Sequence, residues 1–125
     1  MSDEALAQFI DQSYLSLESF KRDGTPVRTP LWFAEDDGVF YLYTLANSGK
    51  VKRIRRDPRV RIVPCTMRGS VTGQWVAGVA HIADETTTEH GHALLLKRYG
   101  WKKRLGNIFS ALAKRGRVVM TIRLD

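Results

Sequence analysis

The sequence predicts a mainly β protein: a small antiparallel barrel with flanking helices. Six segments with strand character follow one another at short spacing. Two of the links between them, Lys21-Arg22-Asp23-Gly24 and Asp36-Asp37-Gly38, are hairpin turn signals. Strands and helices do not alternate as a Rossmann sheet requires, which leaves a barrel plus helices.

Ser2 is a cap for a helix over 3–12, with Asp3 and Glu4 near its positive dipole end. The alternation of SYLSLESF predicts a strand over 13–20. A second strand follows over 26–35, interrupted by Pro26 and Pro30; a proline cannot donate to a ladder, so Pro30 marks an edge, a bulge or a ligand-facing stretch. VFYLYTL predicts a strand over 39–45. Ser48-Gly49-Lys50 then opens a short basic helix that ends before Pro58. Strands over 60–67 and 73–84 come next, then a helix over 86–99 capped by Thr86 or Thr87 and closed by Gly100. A helix over 104–115 and a last strand, RVVMTIRLD, complete the chain.

The chain has 125 residues, 43% hydrophobic and 26% charged, which predicts one globular domain over 1–125. Its one cysteine, Cys65, excludes an intrachain disulfide framework and a multi-cysteine metal cluster. No apolar run approaches the roughly 20 residues of a membrane helix. The start, MSDEALAQFI, is acidic and has no basic n-region, so no secretory leader and a cytoplasmic address are expected. The net charge of +7 is concentrated in two blocks. Residues 48–68 carry 8 basic and 1 acidic side chains, and 97–125 carry 9 and 1. Such blocks predict anionic partners without separating nucleic acid from a phosphorylated small molecule.

No nucleotide-loop, zinc-protease or nucleophile-elbow motif is present. His90 and His92 are two apart, a spacing that puts them on different helix faces as solvated residues. His81 reads as a packed or hydrogen-bonded strand imidazole, and Cys65 as a small buried hydrophobe. No nucleophile, base and orienting group can be assembled from these, so any redox chemistry belongs to a cofactor that the protein holds.

The informative segment runs from Tyr43 to Arg53. A strand ends in Thr44, a Ser48-Gly49 turn presents amides at a helix start, and Lys50 and Lys52 follow, with Arg53 close behind. Amides, hydroxyls and ammonium groups in that order suit a phosphate. The alternative is a Ser-capped helix with a solvated basic face. Arg28-Thr29-Pro30-Leu31-Trp32 offers a second feature: a proline beside a tryptophan frees backbone groups for a polar ring edge, or Trp32 simply packs in the core or at a subunit contact. Trp75 either stacks on a planar ligand or packs inside the barrel.

GTPVRTPLWF, YLYT, SGKVKRIRRDPRVRIVPCTMRG, GQWVAGVAHI and LLLKRYGWKKRL, in that order, resemble the pyridoxamine 5′-phosphate oxidase-like split-barrel flavoproteins. The resemblance extends to their small F-420-dependent oxidoreductase branch, the flavin/deazaflavin oxidoreductases. It implies a six-stranded antiparallel split barrel, the FMN-binding split barrel, that is an obligate homodimer with a cofactor in each cleft between subunits. The cofactor is coenzyme F-420, a deazaflavin, or FMN. Thr44, Ser48, Gly49, Lys50 and Lys52 would hold its phosphate. Arg28, Thr29, Pro30, Leu31 and Trp32 would run along the ring, Gln74 would meet it from a neighbouring strand, and Val63 and Pro64 would line the cleft. No residue is expected to be catalytic in its own right and no metal is implied.

Those oxidases tend to carry a basic residue where this chain has Gly49; Lys52 or the C-terminal basic block is the candidate replacement. They also carry a C-terminal substrate-binding extension, and this chain ends at Asp125, so oxidation of pyridoxamine phosphate itself is not expected. Hydride transfer to a small organic acceptor is. A non-catalytic flavin, F-420 or haem carrier or sensor is the alternative, and nucleic-acid binding through KVKRIRRDPRVR is disfavoured because no aromatics are interleaved with that run.

Overall fold

The structure is a computed structural model that describes residues 3–99 and 117–125. The expected helix over 104–115 lies outside the described residues. Among them the order is α1 (Asp3–Ala7), β1 (Tyr14–Phe20), β2 (Pro26–Trp32), β3 (Ala34–Asp36), β4 (Val39–Leu45), α2 (Gly49–Arg56), β5 (Arg59–Cys65), β6 (Val76–Ile82), α3 (Glu85–Tyr99) and β7 (Arg117–Leu124).

All seven strands form one antiparallel sheet in the order β2-β1-β5-β6-β7-β4-β3. β2 and β3 stand at opposite edges, yet only Phe33 separates them in the chain. The sheet must therefore curl until its two edges meet at that residue. Phe33 is fully buried there, against Phe9 and Phe40 at ring separations of 5.9 and 5.6 Å. The expected single strand over 26–35 is thus two strands, and among the described residues the strand count is seven rather than six. An uninterrupted strand could not change edges.

The curl separates two apolar clusters by the period of 2 along each strand. Leu15, Leu17, Phe40, Leu42, Val60, Ile62, Ala80, Met120 and Ile122 face inward. Tyr41, Tyr43 and Val119 face outward under Leu95 of α3. VFYLYTL reads as a near-continuous apolar run because both of its faces are covered. Each fully buried Leu, Ile or Phe contributes about 1.5–3 kcal/mol. Gly91 lets α3 approach: a Cβ there would come within 2.8 Å of Val119 Cγ1 and 3.0 Å of Tyr41 Cδ1.

Phe9 packs near the start of β4, 4.9 Å from the Phe40 ring, whereas α2 follows the end of β4 and buries Val51 and Ile54. The two helical segments therefore stop opposite ends of the curled sheet. Asp37 and Gly38 both have positive φ, 52° and 81°, the geometry of the tight hairpin expected there. α1 is shorter than expected and ends at Ala7. α3 is capped by Asp84, whose carboxylate accepts the Thr87 amide at 2.7 Å, rather than by Thr86 or Thr87. That bond, together with the Thr87 hydroxyl, holds the Asp84 carboxyl below its ordinary range. Among the described residues no helix is long and apolar enough to cross a membrane.

Candidate functional site

The site is built where β4 gives way to α2. Thr44 is buried at the end of β4, and its hydroxyl lies 3.3 Å from that of Ser48. Ser48 is extended, with φ −71° and ψ 158°, and its hydroxyl accepts the Val51 amide at 3.5 Å. That bond and Ser48 N–H to Leu45 O satisfy two of the four orphan donors of the first turn, and Lys52 N–H to Ser48 O is the first regular helical bond. Among the described residues the amides of Gly49 and Lys50 have no acceptor. The first turn of α2 carries no acidic residue to neutralise its dipole.

Two cations converge on this turn. Lys50 is half-buried. Burial first, and then the neighbouring Arg53 charge, pushes its ammonium pKa below the ordinary value. Arg53, one turn on, lies over Gly49: a Cβ there would sit 2.9 Å from Arg53 Nη1. Arg53 Nε donates to the buried Ser19 hydroxyl at 2.8 Å, which fixes the guanidinium. Among the described residues no carboxylate pairs with Lys50. Lys52 is exposed, and two residues along a helix is a rotation of about 200° from Lys50, so the two do not converge.

The remaining candidates divide between the two faces of β2, β1 and β5. Three rows cross the outer face: Arg28, Glu18 and Arg61; Pro30, Ser16 and Val63; Trp32, Tyr14 and Cys65. Thr29, Leu31 and Pro64 pair with Leu17 and Leu15 and so face inward. Trp32 packs partly against the cluster under α3, with the Tyr14 ring 5.8 Å away. Gln74 is held at its backbone: its amide donates to Gln8 Oε1 at 2.9 Å, and Gln8 Nε2 donates to its carbonyl at 2.8 Å. Its side chain belongs to an exposed residue.

Arg28 is anchored through its Nε to a buried carboxylate. Its Nε donates to Glu18 at 2.8 Å, and Arg61 Nε donates to the other oxygen at 2.5 Å. Burial of Glu18 works against its ionisation; hydrogen bonds from Arg61 and then Arg28 more than reverse this and leave its carboxyl below the ordinary value. Trp75 is half-buried beside both guanidiniums, not inside the barrel.

The histidines also depart in part from expectation. His90 Nε2 sits 3.0 Å from Asp36 Oδ2, and His92 Nδ1 is hydrogen-bonded to the Tyr43 hydroxyl. His92 is not a solvated helix residue, because α3 lies on the tyrosine face of β4, whereas His90 stays solvent-exposed, as expected, beside Asp36. His81 is exposed on β6 rather than packed. Cys65 is buried, as expected, and burial raises its thiol pKa. Among the described residues no group of three or more metal-ligating side chains gathers.

Arg53 is the site residue that the pattern underplays. Its signal was the spacing Gly49-x-x-x-Arg53, which stacks position four onto the empty Cα one turn earlier. The Glu18 row had a fainter signal: alternation with Leu15 and Leu17 turns Glu18 away from the core, but nothing local names its partners.

A curled antiparallel sheet closed at both ends by helical segments defines a split-barrel protein. Comparison places it further: the family model described as Pyridoxamine 5′-phosphate oxidase matches residues 1–124, and the chain belongs to that family. A conserved hypothetical protein from Mycobacterium tuberculosis is 26% identical, covered over 99% of this chain and 84% of its own, with a TM-score of 0.70. The haem-storage protein HutZ from Vibrio cholerae matches at 14% identity over 98% of this chain and 88% of its own, with a TM-score of 0.73. An FAD-binding protein from Mesorhizobium loti matches at 18% over 100% and 89%, with a TM-score of 0.65. The last two likenesses are of fold alone. No curated protein matches the chain.

Proposed function

We propose that this chain is an oxidoreductase that holds coenzyme F-420 or FMN by its phosphate at the start of α2 and reduces a small organic acceptor. The second wall of the cleft comes from a second copy of the chain. The observation that carries this reading is the half-buried Lys50 beside Arg53, with no carboxylate paired to it among the described residues. Two cations, one of them fixed by Ser19, two hydroxyls and two amides without acceptors match the donor demand of a phosphate monoester. An arriving phosphate relieves the unfavourable charge on Lys50.

When bound and reduced, such a cofactor supplies a hydride to an activated double bond. The protein supplies position. Thr44 and Ser48 offer hydroxyls, Gly49 and Lys50 offer amides, and Lys50 and Arg53 balance the charge. Lys52 adds to the field from the solvent side. β2 is an edge strand, so half of its backbone groups from Arg28 to Leu31 face away from β1 and are open to a ring edge. Pro30 and Val63 flank Ser16 on the outer face as a wall, with Trp32 one step along and Gln74 offering its amide side chain. Thr29, Leu31 and Pro64 support that wall from within. No described side chain is placed to act as nucleophile: Cys65 is buried and held as a thiol, and His90 and His92 are engaged.

A carrier that holds flavin or haem without turnover is the second reading, favoured by the likeness in fold to a haem-storage protein. Nucleic-acid binding is disfavoured by where the basic run points: Arg53 bonds Ser19, Arg56 bonds the Phe20 carbonyl and Arg61 bonds Glu18. The test is oxidation of reduced F-420 or reduced FMN by a quinone or an enone under anaerobic conditions. Saturable, protein-dependent oxidation is expected. Tight binding without it would favour the carrier.

A further inference from the structure

Glu18 and Ser19 are adjacent on β1, so their side chains leave by opposite faces. Ser19 holds Arg53 for the cradle at α2. Glu18, fully buried on the other face, holds Arg28 and Arg61. Each guanidinium meets the carboxylate through Nε, which leaves both of its Nη amino groups for other acceptors. Among the described residues neither arginine has one. The two side chains are 54% and 42% exposed, so those donors are reachable. Trp75 lies beside both planes, 4.8 Å from Arg28 Cζ and 5.2 Å from that of Arg61. A shared carboxylate and an aromatic face thus fix two planar cations that together keep one net positive charge.

We propose that the Nη groups of Arg28 and Arg61 form an oxyanion-binding site for the carboxylate or phosphate group of a small molecule, back to back with the Lys50 cradle across β1. A guanidinium presents paired, coplanar donors that match a two-oxygen anion. Here two are presented side by side with their orientation already set, so binding costs little ordering. The site does not depend on the cofactor reading.

The test is a nuclear magnetic resonance titration that follows the Nε–H resonances of Arg28 and Arg61 while inorganic phosphate and acetate are added in separate arms. Saturable shifts at both arginines are expected with at least one anion, and the arm that saturates tells phosphate from carboxylate. Arg61→Lys keeps the charge but loses the fork, and should weaken binding about 10-fold at Arg28. Lys50→Ala should leave this site's affinity unchanged, which separates it from phosphate bound at α2. Glu18→Gln adds a net positive charge but removes the anchor: a built site binds more weakly, a diffuse field more tightly. No saturable shift with either anion, unchanged affinity in Arg61→Lys, or tighter binding in Glu18→Gln would overturn the proposal. Should Glu18→Gln fail to fold, the surface variant Arg61→Lys decides alone.

Discussion

Replacing Lys50 by methionine should move stability and cofactor affinity in opposite directions. The substitution keeps most of the apolar stem and removes the charge. Without a phosphate, Lys50 is a half-buried cation facing another cation, Arg53. Removing it should leave the free protein as stable or more stable, by a few tenths of a kcal/mol after solvent screening. With a phosphate, the same ammonium makes a charge-assisted contact worth about 1.5–3 kcal/mol. Lys50→Met should therefore bind F-420 or FMN roughly 10- to 150-fold more weakly. The pH dependence gives a second sign. The folded pKa of Lys50 is lowered, so the unfolded chain binds more protons below the ordinary value of 10.5. Stability of the free wild-type protein then rises with pH as that window is crossed, and Lys50→Met lacks this rise. Thermal melts over alkaline pH and fluorescence titrations of both proteins read the two effects. If Lys50→Met melts lower and binds equally well, Lys50 is a packing residue and the phosphate site is misplaced.

Further outcomes follow from neighbouring groups. Glu18 has a folded pKa below the ordinary 4.5, so its contribution to stability is complete above that pH and is lost as pH falls through the folded value; denaturant melts of Glu18→Gln should show a shallower acid dependence than the wild type. Cys65→Ala should keep cofactor affinity and lose about 1 kcal/mol of stability, measured by chemical denaturation, because the thiol is buried and its burial disfavours the thiolate. Sedimentation at micromolar concentration should show twice the 14.2 kDa chain mass; the chain mass alone would remove the second wall of the cleft.

The legible parts of the fold are those set by neighbours in sequence. β4 runs over Val39–Leu45 as expected because β-branched and aromatic residues end at the Asp37-Gly38 turn on one side and at Thr44-Leu45 on the other. α2 starts at Gly49 because Ser48 caps it. The break at Phe33 was not legible: LWFA is a continuous apolar run, and only curling of the whole sheet makes one of its residues an edge-to-edge crossing. The same division holds at the site. Thr44, Ser48, Gly49 and Lys50 lie within one short segment, so their proximity could be read directly. Lys52 looked equivalent to Lys50 as composition, and helical rotation separates them. Arg28 stands out in its own strand, but the carboxylate that anchors it comes from the next strand and a second arginine from the strand beyond. The pairing of His92 with Tyr43 likewise spans 49 positions and depends on where α3 lands.

The most direct measurement is an equilibrium titration of the purified protein with F-420 and with FMN, side by side at two ionic strengths. Saturable binding of at least one is expected. It should weaken with salt, more steeply for F-420 because its tail carries more charge into a basic cleft. It should fall with Lys50→Ala far more than with Arg56→Ala, whose exposed guanidinium is turned to the Phe20 carbonyl. Saturation by neither cofactor, or equal losses in the two variants, would contradict a specific phosphate anchor at the start of α2.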